Sequence, residues 1–397
     1  MADSPARNRK DCVTFMKRLL LAAAIVAASS LSAHAAIVDM TLIQRISLVG
    51  FTGVGENPSA GVNSNPAAVA WDGTNAYVAG FNNSTSAALN LNIARIANAV
   101  TAPTTSLTST YFGTLSTVAS RGFTSLTVDA NNVYASYDNG VGTSNAVRAF
   151  NKTTGASVWS LTDTGRRGGG TAIDPGFQGG ASTGQLGFVG LGMNRRAVVD
   201  KATGAYVTGY TNTDGMLIPP ANNVNNWRDI TFDSAGNIYG RENNRVLRGL
   251  RTGDNQVNNS GTSIYTDFSG SLGSTIGQNI DFVDSTQYGG FLVMNDRPNG
   301  NATPFTTAVR AIDLAGSFHT LNFNFGTFGT IGSGVRHYDF SFDKNTQTLA
   351  MSDFGNKSLY IFRVGAAVTA PETGTVSLLA LGAASLVGVV LRKRKAA

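Results

Sequence analysis

The chain has 397 residues, of which 46 are glycine and only 14% are charged, a balance that suits one large domain of short strands and turns and argues against a helical protein. The formal charge of +6 comes from the ends: residues 1–18 hold five basic and two acidic side chains and residues 371–397 hold four and one, so the body between them is neutral and carries no nucleic-acid footprint. The one cysteine, Cys12, lies ahead of an apolar run, which excludes disulfide and thiol chemistry from the body.

In chain order, Met16-Lys-Arg18 leads into the apolar stretch Leu19–Leu31 and the small-residue site Ala33-His-Ala35. This pattern predicts a secretory signal over residues 1–35, cut after Ala35, with Met16 as a candidate start. The run is too short to span a bilayer comfortably. Residues 37–51 follow as an apolar, β-branched segment without a turn partner, predicted as a lone strand over 42–51.

The body then repeats one unit, clearest in Trp227-Arg-Asp-Ile-Thr-Phe-Asp-Ser-Ala-Gly-Asn-Ile-Tyr-Gly-Arg241: a short strand, a turn opened by Asp233, and a return strand. Asp opens such turns because its carboxylate accepts backbone N–H groups just downstream. Equivalent aspartates are Asp72, Asp129, Asp174, Asp233, Asp284 and Asp343, spaced 57, 45, 59, 51 and 59 residues apart. A second strand pair follows in the first five units, joined by turns such as Lys152-Thr-Thr-Gly155 and Lys201-Ala-Thr-Gly204. The third unit's pair is placed at 197–200 and 206–210, and the fourth unit ends on 263–267. The sixth unit stops one strand short, after Ser358–Val364. The spacing predicts an all-β, six-bladed β-propeller over residues 36–364. The lone N-terminal strand fills the missing place in the sixth blade and removes two exposed edges. Small residues two before the anchor (Ala70, Thr127, Ala172, Thr231, Ser341) let one inner strand approach the next; Phe282 breaks this rule.

Residues 365–375 form a linker ending in Ala370-Pro-Glu-Thr-Gly374. Residues 376–391 are apolar apart from two serines and read as a single transmembrane helix, with Arg392-Lys-Arg-Lys395 in the basic cytoplasmic tail of residues 392–397. This end resembles a PEP-CTERM sorting tail: Pro371 and Glu372 match its signature, Thr373 replaces the second proline, and Leu378–Ala384 with the basic end match the rest. The resemblance implies processing by an exosortase-type enzyme in a Gram-negative-type envelope, often beside exopolysaccharide. Ala370-Pro-Glu-Thr-Gly374 is also one residue from an LPXTG sortase signal, which leaves a sortase as the alternative partner. The body resembles NHL and YVTN-type propellers in its strand–turn–strand repeats and Thr-Gly turns.

Lactonase propellers of the gluconolactonase kind bind a divalent metal in their channel through Glu, Asn and Asp. Here the only glutamates are Glu56, Glu242 and Glu372, and the first two read as solvated charges. Asp229 and Asp339 both stand four before an anchor, with Asp281 one residue off that position and His337 just ahead of Asp339. Carboxylates at equivalent places on inner strands gather near one channel mouth, as a cation or sugar site; alternatively each binds backbone N–H groups or Arg228 and Arg336. The anchor aspartates read as turn formers, Trp71, Trp159 and Trp227 as core, and Arg166-Arg-Gly-Gly-Gly170, which no helix follows, as no phosphate loop. No catalytic motif stands out, and no cofactor is expected. The sequence thus points to an exported propeller, membrane-anchored or released at the cell envelope, that binds an extracellular polysaccharide or protein; a channel-centred metal-dependent hydrolase of the lactonase kind is the alternative.

Overall fold

The computed structural model describes residues 37–57, 63–84, 88–101, 109–118, 121–139, 146–162, 168–177, 185–189, 196–207, 216–217, 227–242, 245–253, 256–266, 279–296, 304–332 and 338–365. The expected signal, linker, apolar helix and basic tail lie outside these residues, as do Ala33, Ala35, Arg336, His337, Pro371, Glu372 and Thr373.

The molecule is all-β, with one four-residue α-helix (α1, Phe305–Ala308) among the described residues. Strand β1 (Ile37–Ser47) comes first. The first unit holds β2 (Ser64–Trp71), β3 (Ala76–Asn82), β4 (Leu89–Ile96) and β5 (Ser109–Thr117); the second, β6 (Gly122–Val128), β7 (Asn132–Asp138), β8 (Ala146–Asn151) and β9 (Ser157–Thr162). The third holds β10 (Thr171–Asp174), β11 (Gln185–Val189), β12 (Arg196–Asp200) and β13 (Met216–Leu217); the fourth, β14 (Trp227–Phe232), β15 (Ile238–Glu242), β16 (Arg245–Gly253) and β17 (Gln256–Thr266). The fifth holds β18 (Ile280–Ser285), β19 (Gly289–Asn295), β20 (Val309–Asp313) and β21 (Phe318–Asn324), and the chain ends in β22 (Tyr338–Asp343), β23 (Thr348–Asp353) and β24 (Ser358–Val364). Within each unit the strands pair antiparallel in sequence order, giving propeller-like curled sheets.

Two outer strands differ from expectation. Among the described residues the outer strand of the third unit is Met216–Leu217; of the expected 206–210, Tyr206 bridges Val199 and the Val207 N–H donates to the Val198 carbonyl at 3.0 Å, and residues 208–210 lie outside the described residues. The outer strand of the fourth unit begins at Gln256, seven residues earlier than its expected start.

Three anchor turns are fastened by their aspartates in one way, whereas in the fifth unit Asp284 is not the turn former: Ser285 Oγ accepts the N–H groups of Gln287 (3.3 Å) and Tyr288 (3.2 Å). Asp72 Oδ1 accepts the N–H groups of Thr74 (3.1 Å) and Asn75 (2.6 Å), Asp129 Oδ1 those of Asn131 (2.9 Å) and Asn132 (2.8 Å), and Asp233 Oδ1 those of Ala235 and Asn237 (both 2.9 Å). A tyrosine hydroxyl from the return strand then donates to the other carboxylate oxygen: Tyr77 to Asp72 at 3.3 Å, Tyr134 to Asp129 at 3.0 Å and Tyr239 to Asp233 at 3.0 Å. Turn and return strand are therefore fastened by one side chain.

β1 joins the two ends of the body. Met40–Ser47 run antiparallel to β24, from Met40 opposite Val364 to Ser47 opposite Ser358. Ile37–Thr41 run parallel to Thr320–Asn324 of β21, so β1 passes from the fifth unit's outer edge to the sixth. The strand starts five residues earlier than the expected 42–51 and ends four earlier. Val38, Met40, Leu42, Gln44 and Ile46 alternate onto its buried face.

The apolar core lies between neighbouring units. Tyr134, Val147, Ala149 and Trp159 of the second unit pack with Leu186 and Val199 of the third. Tyr239, Val246 and Tyr265 of the fourth pack with Ile280, Leu292, Met294 and Ile312 of the fifth. Trp71 and Trp159 are buried there, their Nε1–H groups donating to Thr348 Oγ1 (2.8 Å) and the Lys201 carbonyl (2.7 Å).

Candidate functional site

The first strand of each unit faces an interior channel. β2 packs against β6 and β22, β10 against β6 and β14, and β18 against β14 and β22. Together they line a cavity of about 210 Å³. These strands do not hydrogen-bond to one another as a sheet, so their inward N–H groups need other acceptors.

Side chains supply them. Asp339 Oδ2 on β22 accepts the Val69 N–H of β2 at 2.7 Å, and two residues on Ser341 Oγ accepts the Trp71 N–H at 3.0 Å. Asp229 Oδ2 on β14 accepts the Ile280 N–H of β18 at 2.9 Å, and Thr231 Oγ1 accepts the Phe282 N–H at 3.2 Å. Asp281 Oδ2 on β18 accepts the Phe342 N–H of β22 at 2.8 Å. Between β6 and β10, Ser125 Oγ accepts the Thr171 N–H at 3.0 Å. The two-residue spacing of Asp229 with Thr231 and of Asp339 with Ser341 is the period of a strand, which puts both acceptors on one face. Thr231 and Ser341, two of the small residues two before the anchor, are thus fasteners as well as space savers.

The remaining carboxylate oxygens are also engaged. Asp229 Oδ1 accepts the Ile230 N–H (2.9 Å), Asp281 Oδ1 the Thr231 hydroxyl (3.2 Å), and Asp339 Oδ1 the Asn279 side-chain amide (2.6 Å). Gly170 packs against Asp229 so closely that a Cβ there would overlap its Oδ1. The channel therefore brings Asp229 and Asp339 into one cavity, as their matched positions imply, and adds Asp281. The one-residue offset left Asp281 beside the matched pair rather than in it; the alternation of Asn279 and Asp281 along one face is the signal that joins it to them.

Burial raises the pKa of all three. Asp229 is driven well above the ordinary carboxylate range, first by burial and then by the charge of Asp339. Burial likewise pushes Asp281 and Asp339 up to about 7, against the N–H groups that they accept. Asp281 is partly reachable from the channel, but protein surrounds it on every side. Among the described residues the cavity is lined by no basic side chain, and no group of three His, Cys, Asp or Glu is arranged to hold a metal ion.

The two glutamates of the body differ from the expected solvated charges. Glu242 is buried at the end of β15, its carboxylate held by Arg245 at 2.8 Å. Its neighbour in the ladder is that arginine, so pairing across the strands replaces water. Glu56 Oε2 accepts the Gly53 N–H (3.0 Å) and the Ser64 hydroxyl (3.4 Å). Neither lines the cavity.

No protein-family model and no curated protein matches the chain. Among solved structures it is similar to an auxiliary nutrient binding protein from Bacteroides thetaiotaomicron, at 13% identity over 81% of this chain and 76% of that one, with a TM-score of 0.45. It is similar to the Pan2 WD40 domain of Neurospora crassa, at 9% identity over 83% and 96%, TM-score 0.43. A gluconolactonase from Xanthomonas campestris gives 10% identity over 77% and 88%, TM-score 0.44.

Proposed function

We propose that this chain is an exported six-bladed β-propeller that acts by binding at the cell envelope or in the extracellular matrix, sorted through its PEP-CTERM-like tail. The blade count rests on six anchor aspartates at regular spacing and on first strands that each touch two others in one cycle. β1 and β24 share the sixth blade, so the ring has no open edge at its ends.

One observation carries the non-enzymatic reading. Every oxygen of Asp229, Asp281 and Asp339 already accepts a donor from the inner strands. These carboxylates fasten neighbouring strands, and a metal ion would compete with those donors for them. Binding then falls to the outer surface and the channel mouths, with polysaccharide or protein as the ligand classes that a neutral envelope module meets. The second reading is a metal-dependent hydrolase of the lactonase kind, and the presence of three carboxylates around one cavity favours it.

Purified protein equilibrated with divalent ions and assayed on simple lactones separates the two. The expected result is no stoichiometric metal and no hydrolysis. A bound metal and hydrolysis that are both lost in the isosteric variant Asp229→Asn would replace the binding module with the hydrolase.

A further inference from the structure

Away from the channel, three groups meet where the first and last units adjoin. Lys357 lies in the turn between β23 and β24, with a left-handed φ of +48°, and is only 9% exposed. Its Nζ donates to the backbone carbonyl of Glu56 and, at 3.4 Å, to the side-chain Oδ1 of Asn63, 294 positions away. Both acceptors are neutral carbonyl oxygens. The turn around Lys357 is fixed on all sides: Asp353 Oδ1 accepts the Asn356 N–H at 2.9 Å, and the Lys357 carbonyl accepts the Leu48 N–H at 2.8 Å. Asn63 is fixed as well, its carbonyl accepting the Asn83 N–H at 2.8 Å and its neighbour Ser64 donating to Glu56 Oε2 at 3.4 Å. The same seam is walled by an apolar cluster of Ala67, Phe81 and Phe354, with the two rings 5.8 Å apart.

We propose that Lys357 and Asn63 are joined by a side-chain amide bond that the folded chain forms by itself. The neutral Nζ adds to the Asn63 Cγ, forming the new C–N bond. The Cγ–Nδ2 bond then breaks and Nδ2 leaves as ammonia, carrying the proton given up by Nζ. No electrons change hands and no further reagent is consumed. Two requirements govern this step. Reacting atoms in a near-attack arrangement stand about 3–3.5 Å apart, and the contact to Oδ1 brings Nζ to within about one bond length of that range from Cγ. The nucleophile must also be uncharged: burial pushes the Lys357 amine down, with the Glu56 carboxylate opposing in part, as for other desolvated lysine nucleophiles. The Glu56 carboxylate makes no ion pair with Nζ, although its charge is felt there, so the role assigned to it, taking the proton and returning it to the departing nitrogen, runs through one water.

The bond ties the first unit to the last. A cross-link constrains the unfolded chain more the longer the loop it closes, and this one spans almost the whole described body. It gives an exported chain whose body has no cysteine a covalent closure by other means.

Intact-mass measurement of the purified, denatured chain tests this. The wild type should weigh one ammonia less than its sequence, and digestion should release one branched peptide holding Asn63 and Lys357. Lys357→Arg and Asn63→Ala should each carry the full sequence mass. Glu56→Gln should keep its β-type circular dichroism yet cross-link at least tenfold more slowly; an unchanged rate removes Glu56 from the step. A wild-type mass equal to the sequence, with the Lys357 amine open to acylation after denaturation, overturns the bond.

Discussion

Single aspartates do two opposite things in this fold, and their surroundings decide which. The anchor Asp72 is a fastener held below the ordinary value: burial pushes it up, but the Asn75 N–H and Lys152 outweigh that. Four anchors take a cation from the next unit: Asp72 from Lys152 (3.1 Å), Asp129 from Lys201 (3.0 Å), Asp174 from Arg251 (2.8 Å) and Asp284 from Lys344. The lysines of the two Thr-Gly turns are therefore partners of the preceding unit's anchor. Among the described residues no such cation pairs with the channel aspartates, which are raised instead, to about 7 for Asp281 and Asp339. The sign of the consequence is fixed by linkage. Between about pH 4 and about pH 7 the folded chain keeps protons that the unfolded chain has released, so these groups make stability fall as pH rises through that window. Asp72 and Asp129, whose values are lowered, contribute stability that is lost as pH falls below the ordinary carboxylate value. Melting temperature should therefore peak near the lower end of the window and decline toward neutrality. Thermal melts across this range should show a flatter decline in Asp281→Asn; an equal slope in variant and wild type removes Asp281 from the effect.

At the scale of elements, β1 does the most with the fewest local signals. Val38, Met40, Leu42 and Ile46 are buried on one face, each worth roughly 1.5–3 kcal/mol for full burial of such a side chain. Gln44 shares that face; its Nε2 reaches the Val100 carbonyl at 3.4 Å and its Oε1 accepts the Arg45 N–H at 2.9 Å, beside an irregularity in the register. A buried amide in an apolar stripe is tolerated because it is paired. Deleting residues 37–47 removes apolar burial comparable to the whole stability of a typical domain, about 5–15 kcal/mol. It also exposes the edge of β24. The expected outcome is loss of the cooperative melt and association through that edge, read by calorimetry and light scattering; a monomer with an unchanged melting temperature would mean that β1 contributes little. The antiparallel pairing with β24 was legible as an arithmetic of missing strands. The parallel pairing with β21 was not, because parallel neighbours share no turn that a sequence can display. The same limit applies to the site. Matched positions brought out Asp229 and Asp339, whereas the partners that engage them, Val69 and Ile280 N–H, are backbone groups with no signature in residue type. Glu242 was misread as solvated for a related reason: its partner Arg245 follows three residues on, but only the ladder puts them side by side.

At the scale of the molecule, the described body and the two ends play different parts. The body is neutral and all-β; the ends carry the excess positive charge and the proposed address. If that address is read as proposed, protein recovered from the surface of its own host should lack both the signal and everything beyond about Thr373. Intact mass spectrometry that finds Arg392 still attached would replace sorting with a plain single-span anchor. The placement of β1 has one further consequence, in the order of events. Synthesis is vectorial, so β1 is the first strand of the body to emerge and Ser358–Val364, its antiparallel neighbour, the last. β21, its parallel neighbour over Ile37–Thr41, emerges earlier, so only the part of β1 that pairs with β24 alone, Leu42–Ser47, waits on an open side until the end. Folding of this chain is therefore finished by its final strand, and a stalled or shortened product keeps a sticky N-terminal ribbon, which makes completeness itself the condition for leaving the care of chaperones.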